Sequence, residues 1–245
     1  MLISIITVCY NSANTIRKTI ESVLCQTYQE VEYLIIDGLS TDGTVAVAKE
    51  YEEQFVKKGY SFRIISEKDN GIYDAMNKGI RFASGELVGI INSSDWYEKD
   101  ALSTVAETYE KSKFDLFYSD INLIKENGQV IVKHSKNDKF PTSRHWNHPT
   151  TFVTKKTYDE LGTFKCVGLH DDFDFFLRCK RAGKKTIIVN KVLANFTMGG
   201  ASNKKDFSLS RKRCKDRLRC YTDNGYSKVY VIECIAIEAA KWMLS

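Results

Sequence analysis

Two periodicities alternate through the first 95 residues, and that alternation constrains the fold more than any other feature of the chain. Residues 2–8 form a continuous, largely apolar run that includes only Ser4 and Thr7 as polar members, as a strand covered on both faces requires. Ile16, Ile20, Val23 and Leu24 then recur at i, i+4, i+7 and i+8, the stripe of an amphipathic helix. The pattern repeats with a strand at 31–36, a helix at 44–55 and a strand at 62–65. Ile72, Met76, Ile80 and Ala83 mark a third helix, Gly85 falls at its C′ position, and 87–91 reads as a fourth strand. This β-α-β-α-β-α-β series predicts an α/β fold with a Rossmann-like, mainly parallel central sheet and helices on both faces.

The rhythm loosens after residue 96. Residues 116–121 and 130–132 can pair as a small antiparallel hairpin across Asn127-Gly128. Helices are expected at 154–161 and 171–182, and residues 134–151 show no period. One domain is expected over 1–203, with functional halves 1–95 and 96–203. A basic and then amphipathic extension, 204–245, follows.

Composition narrows the class. At 245 residues, 43% hydrophobic and 27% charged, the chain can bury a core and is neither disordered nor a polytopic membrane protein. Of the net charge of +5, residues 204–220 carry +6, so the main surface is near neutral and nucleic acid is not an expected partner. Residues 229–244 are too short and too charged to span a bilayer. A basic segment followed by an amphipathic one suggests contact with a membrane surface, and a helix docked on the domain or a dimer contact reads equally well. Seven cysteines, an odd count without CxxC spacing, point to reduced thiols and a cytoplasmic setting. The N-terminus reads as a first strand, not a secretory signal.

In an open α/β sheet the ligand sits beyond the carboxyl ends of the strands. Four ends converge here: Thr7-Val8-Cys9-Tyr10-Asn11, Asp37 to Thr44, Glu67 to Asp74, and Asn92-Ser93-Ser94-Asp95. Turn chemistry supplies some of these residues, but carboxylates at strand end after strand end point to a ligand site. No GxGxxG follows the first strand and no P-loop motif is present, so a phosphate ligand would need a metal or backbone donors.

These same segments carry a family resemblance. Ile5-Ile6-Thr7-Val8-Cys9-Tyr10-Asn11, Ile20 to Tyr28, Ile35-Ile36-Asp37-Gly38-Leu39-Ser40-Thr41-Asp42-Gly43-Thr44 and Asp69-Asn70-Gly71-Ile72-Tyr73-Asp74-Ala75-Met76-Asn77-Lys78-Gly79 closely resemble family 2 glycosyltransferases of the GT-A fold. The resemblance implies an inverting enzyme that takes a sugar from a nucleotide-sugar donor, UDP-linked by preference, to a glycan or lipid-linked acceptor of a bacterial surface polysaccharide. It makes residues 1–95 the donor half. Thr7, Tyr10 and Asn11 would line the nucleotide pocket, and Asp37 would accept a hydrogen bond from the base. Gly71, Asp74, Asn77 and Lys78 would pass under the ribose and diphosphate.

Asn92-Ser93-Ser94-Asp95-Trp96 lies where the family places its metal-binding acids, with Ser94 in place of the first and Asp95 retained. A divalent cation, Mn²⁺ or Mg²⁺, would then take one carboxylate from the protein and its other oxygens from the donor and water. In His170-Asp171-Asp172-Phe173, the resemblance makes one carboxylate the base, Asp172 first and Asp171 as the alternative. His148 and Ser202 would lie on the acceptor side. Each residue also has a plainer reading: Asp37 as a turn carboxylate, Tyr10 as a rim aromatic, Lys78 on a solvated helix face, Asp95 as a cap, the Asp171–Asp172 pair as first-turn charges, and His148 as a buried, hydrogen-bonded side chain. The rival functions are a sugar nucleotidyltransferase, which lacks its Gly-rich basic loop here, and a non-catalytic sugar-nucleotide-binding subunit.

Overall fold

The computed structural model describes residues 1–199 and 206–244. Its elements run β1 (Ile3–Cys9), α1 (Ile16–Leu24), β2 (Val31–Asp37), α2 (Thr44–Lys49), α3 (Glu52–Lys58), β3 (Ser61–Ser66), α4 (Ile72–Phe82), β4 (Leu87–Asn92), β5 (Trp96–Tyr97), α5 (Ala101–Ser112), β6 (Leu116–Ile124), β7 (Val130–Lys133), β8 (Phe152–Thr154), α6 (Lys155–Leu161), α7 (Asp171–Arg181), β9 (Thr186–Thr197), α8 (Phe207–Asp223) and α9 (Val231–Leu244). The strands form one sheet in the order β3-β2-β1-β4-β8-β6-β9-β5, with β7 paired to β6.

β1 lies between β2 and β4, parallel to both. All seven of its residues are buried. Side chains alternate across a strand, so Ile3 and Ile5 pack with α1, α3 and α5 on one face. Ile6 and Val8 pack with α4 and α7 on the other. Two buried faces on one strand are why its apolar residues do not alternate with exposed polar ones.

The second half continues the same sheet. β8 runs antiparallel to both β4 and β6. β9 then runs parallel to β6, with register shifts at Ser119/Asp120 and Asp120/Ile121 that bend its end toward β5. The expected hairpin is β6–β7, closed by Gly128 at φ +81°.

Two local expectations need correction. The helix expected at 44–55 is two helices. Glu50 and Tyr51 donate to Val47 and Ala48 in short i→i−3 bonds, and the Tyr51 hydroxyl is fixed between Arg17 (2.9 Å) and Glu21 (2.6 Å), which turns the chain there. Gly85 does not serve as a left-handed cap, since α4 ends at an extended Ala83. It is needed for close approach: a Cβ there would lie 2.6 Å from the Ser4 nitrogen and 2.8 Å from the Leu2 carbonyl oxygen.

The 204–245 extension is integrated into the fold. α8 packs against both α7 and α9. Arg213 and Arg217 are buried and share the Glu238 carboxylate at 2.8 and 3.3 Å. Among the described residues, no helix is long and apolar enough to cross a membrane.

Gly85→Ala should lower the unfolding free energy by about 1–3 kcal/mol, because two of the atoms it meets, the Ser4 nitrogen and the Leu2 carbonyl oxygen, are backbone and cannot rotate away. Urea denaturation of the two proteins checks this.

Candidate active site

The carboxyl ends of β1 and β2 are tied together by their own loops. The Asn11 amide donates to Ser40 Oγ (2.8 Å), and Asn11 Oδ1 accepts from the Thr41 amide (2.9 Å). Ser12 and Ala13 donate to Thr44 Oγ1 (2.7 Å) and Asp42 (3.0 Å). These bonds hold Asn11 at φ +48° and leave Tyr10 standing out from the edge, 66% exposed. Tyr10 and Asp69 face each other across Gly38. A Cβ on Gly38 would sit 2.9 Å from Asp69 Oδ2 and 3.4 Å from the Tyr10 ring, so only glycine leaves this slot open.

Several expected donor residues lie beneath that surface. Thr7 is fully buried and accepts a hydrogen bond from the Tyr33 hydroxyl (3.0 Å), because its position in β1 points it into the α1–α3 face. Asp37 is also fully buried. Its oxygens accept from Ser40 N (3.0 Å), Ser40 Oγ and Ser66 Oγ (2.6 Å), so it organises the β2–α2 turn from behind the slot. Asn77 spends its amide on the chain itself, donating to the Phe164 carbonyl (2.8 Å) and accepting from the Phe164 amide (2.9 Å). That pins α4 to the loop before α7. These three residues shape the site from below.

Lys78 is not on a solvated face. Its ammonium contacts Asp69 at 2.5 Å, Glu67 at 3.1 Å and Asp74 at 3.9 Å, and donates to the Lys68 carbonyl (2.6 Å). Burial disfavours its charge, but the bonds to Asp69 and Glu67 outweigh burial and hold it above the usual lysine value. Asp74 also accepts from the Asn70 amide (2.9 Å), closing the turn at Gly71, which sits at φ +114°. Asp69 is therefore the centre of this corner. The sequence reading quoted it but gave it no role.

At the end of β4, Ser94 is exposed and its carbonyl accepts from Thr197 Oγ1 (2.7 Å). Asp95 is 1% exposed and accepts from the Thr197 amide (3.0 Å). Burial pushes its carboxyl up to about 7. Asn92 Oδ1, beside it, is buried without a partner. A buried carboxylate and an unpaired carbonyl oxygen are the hard oxygen donors a divalent cation takes. A cation there would restore the charge that burial disfavours. Among the described residues there is no cluster of three acidic, His or Cys side chains, so other oxygens must come from a ligand and water.

Asp171 and Asp172, adjacent in sequence, are separated by the geometry of α7. Asp171 is fully buried, accepting from the Val167 (2.6 Å) and Gly168 (3.0 Å) amides and from Arg219 of α8 (2.7 Å). Asp172 is half-buried. Its Oδ1 accepts from the Tyr73 hydroxyl (2.8 Å), and its Oδ2 lies 3.7 Å from His148 Nδ1. It lines a cavity of about 190 Å³ with Trp146, Asn147, His148 and His170. Each of those four carries a buried polar atom with no partner: Trp146 Nε1, Asn147 Oδ1, His148 Nε2 and His170 Nε2. Buried polar atoms are normally paired, so four around one cavity mark a place built for a hydrogen-bonding ligand. Burial lowers the basicity of both histidines, His170 to about 4, so both are neutral near pH 7. Burial, with Asp172 beside it, pushes the Tyr73 phenol well up, so Tyr73 remains a donor.

The chain matches the model of the glycosyl transferase family 2 over residues 4–170. It belongs to that family.

A PGL/p-HBAD biosynthesis glycosyltransferase of Mycobacterium bovis is 28% identical over 236 residues, covering 94% of this chain and 89% of that protein. The chondroitin synthase of Pasteurella multocida is 27% identical over 205 residues, 81% of this chain. The chain spans about a fifth of the length of that synthase and of the glycosyltransferase GlyA of Streptococcus pneumoniae. Among solved structures, residues 1–349 of TarS from S. aureus, in complex with UDP-GlcNAc, superpose with a TM-score of 0.67 at 16% identity, covering 98% of this chain and 72% of that one. The mannosyltransferase PcManGT of Pyrobaculum calidifontis, in complex with GDP-Man and Mn²⁺, gives 0.69 at 15%, covering 99% and 75%. These likenesses fix the fold as GT-A.

The sequence reading left Tyr73 and His170 without roles, although both stood inside quoted motifs. Trp146 and Asn147 carried no periodic signal and escaped it. Ser202 lies outside the described residues. Asp171→Asn should lower stability by about 1.5–3 kcal/mol, since an amide oxygen can still accept from Val167 and Gly168 but the half-buried Arg219 guanidinium loses a charged partner. Asp172→Asn should change stability by less than about 1 kcal/mol, because an amide oxygen still accepts from Tyr73. Thermal and denaturant unfolding of both variants tests the contrast.

Proposed function

We propose that the chain is an inverting glycosyltransferase that moves a sugar from a nucleotide-sugar donor, UDP-linked, to a hydroxyl of a glycan or lipid-linked acceptor in bacterial surface polysaccharide synthesis. The observation that carries this reading is the Asp172 cavity. One free carboxylate oxygen shares it with four unpaired polar atoms, a lining suited to a hydroxyl-rich ligand. Family membership and the donor complexes of TarS and PcManGT support the donor class.

In this reading the nucleotide enters the slot at Gly38, against Tyr10 and Asn11, and the corner at Gly71, Asp74 and Lys78 lies along the ribose and diphosphate. The acceptor lies in the Asp172 cavity, where His148 and His170 contact it. Tyr73 fixes Asp172 Oδ1, so Oδ2 accepts the acceptor's proton. The acceptor oxygen forms a bond to the anomeric carbon as the bond to the diphosphate breaks. The leaving diphosphate takes the electron pair. Attack opposite the leaving group inverts the carbon. Asp95, with Asn92 Oδ1, would hold Mn²⁺ or Mg²⁺, which when bound neutralises charge on the departing diphosphate.

A cytoplasmic enzyme resting on the inner face of the membrane suits a lipid-linked acceptor. Arg211, Lys212 and Lys215 are exposed on α8, and Ile232, Ile235 and Trp242 on α9, which supports that placement.

Asp172→Asn should keep UDP affinity and lose 10²–10⁴-fold in transfer, about 2.7–5.5 kcal/mol of barrier. Steady-state kinetics with a saturating donor and a competent acceptor, beside UDP calorimetry, checks it. Wild-type turnover would remove Asp172 as the base. Asp95→Asn should abolish the dependence of UDP affinity on Mn²⁺. Calorimetry with and without the metal reads this directly, and an unchanged metal effect would move the site elsewhere.

A further inference from the structure

Among the described residues three strands have a single neighbour in the sheet: β3, β5 and β7. β3 exposes Ser61, Arg63 and Ser66 along its length, and β5 is two residues long. Short strands and exposed charge are how sheets keep their edges from pairing. β7 has neither safeguard. Val130, Ile131 and Val132 follow one another and are 53%, 39% and 44% exposed. Its charged residue, Lys133, turns its ammonium inward to the carbonyls of Ser143 (3.2 Å) and Trp146 (2.9 Å).

The register fixes which way the peptide groups of β7 point. At the hairpin the Lys125 amide donates to the Gln129 carbonyl (2.9 Å), and the Gly128 amide donates to the Lys125 carbonyl (2.9 Å). Bonded and non-bonded pairs alternate along an antiparallel ladder, so Leu123–Ile131 is bonded while Ile124–Val130 and Asn122–Val132 are not. The Ile124 carbonyl accordingly accepts on its other side, from the Met198 amide (2.8 Å). The amides and carbonyls of Val130 and Val132 therefore face away from β6.

We infer that β7 is a self-association edge, on which a second copy of this chain adds its own β7 antiparallel, about a two-fold axis at Ile131. An interface of this symmetry must be complementary to itself. Val-Ile-Val reads the same in both directions, so Val130 meets the partner's Val132 on one face and Ile131 meets the partner's Ile131 on the other. The outward peptide groups of Val130 and Val132 then bond those of the partner, and one sheet runs on into the next. Charge agrees with the same axis. Glu126 and Lys136 are exposed, have no ion-pair partner among the described residues, and lie five residues before and five after Ile131. Antiparallel pairing brings the Glu126 end of each copy toward the Lys136 end of the other, twice. Lys133 comes opposite the partner's Gln129, not a like charge. A strand edge this short belongs with interfaces below about 1,200 Å², so the dimer forms in the micromolar range and separates on dilution. It does not depend on the proposed reaction.

Sedimentation velocity of the full chain over about 1–200 µM should show a concentration-dependent rise from monomer to dimer. Ile131→Lys and Ile131→Glu each set like charges across the axis and should weaken self-association at least tenfold. An equimolar mixture of the two variants sets Lys against Glu and should associate at least tenfold more tightly than either alone. Ile232→Lys, on the exposed face of α9, should dimerise as the wild type does. A monomer throughout the range, dimers that survive in both Ile131 variants, or a mixture no tighter than its components overturns the proposal. So does loss of the dimer in Ile232→Lys, which would move the contact to α9. Should an Ile131 variant fail to give a cooperative thermal transition, Val130→Lys, on the other face of β7, takes its place with the same expected loss.

Discussion

Burial of β1 on both faces and along both edges is the constraint from which the site follows. A strand with neighbours on either side and helices above and below has only its ends exposed. Its carboxyl end, with those of β2, β3 and β4, must leave the sheet in loops, and those loops carry polar residues that would be intolerable inside. They are also rigid. Asn11, Ser40, Thr41, Asp42 and Thr44 bond one another across the β1 and β2 exits. A surface built this way is positioned before any ligand arrives, so little ordering remains to be done on binding.

α7 divides two jobs between adjacent carboxylates. Successive residues on a helix point about a quarter-turn or more apart, so Asp171 can face the protein while Asp172 faces the cavity. The inward one binds the preceding loop and Arg219 together. The outward one is aimed by Tyr73, which comes from the first turn of α4 in the other half of the domain. Asn77, one turn further along α4, holds the loop at Phe164. One face of α4 thus sets the distance between the Asp69–Lys78 corner and the α7 carboxylate.

The sheet of the first half was legible because its signal is local: each strand and helix declares itself by its own period. The β6–β7 hairpin was legible through Asn127-Gly128 for the same reason. What escaped depends on contacts between distant segments. Thr7 and Asp37 sit where family motifs place them, but which side of the strand each faces was decided by packing against Tyr33 and by Ser40 and Ser66. Asp95 reads as an open strand-end acid until β9, a hundred residues later, places Thr197 over it. The basic 204–220 segment reads as solvated charge, yet Arg213 and Arg217 turn inward because Glu238 arrives from α9. Trp146 and Asn147 lie in a stretch without period, and only the cavity they line gives them meaning.

The α7–α8 contact bears on how such a domain can be dissected. Asp216 of α8 accepts from the backbone amides of Leu169 (2.7 Å) and His170 (3.0 Å), immediately before the two carboxylates of α7. Arg219, three residues on, neutralises Asp171. A chimera that joins a foreign C-terminal module after residue 203 would discard those partners. It would leave the buried Asp171 without its cation, and the Leu169 and His170 amides without their acceptor, beside Asp172. The natural junction for grafting lies beyond α9, and the helical pair after the sheet is best treated as part of the scaffold that holds the α7 carboxylates.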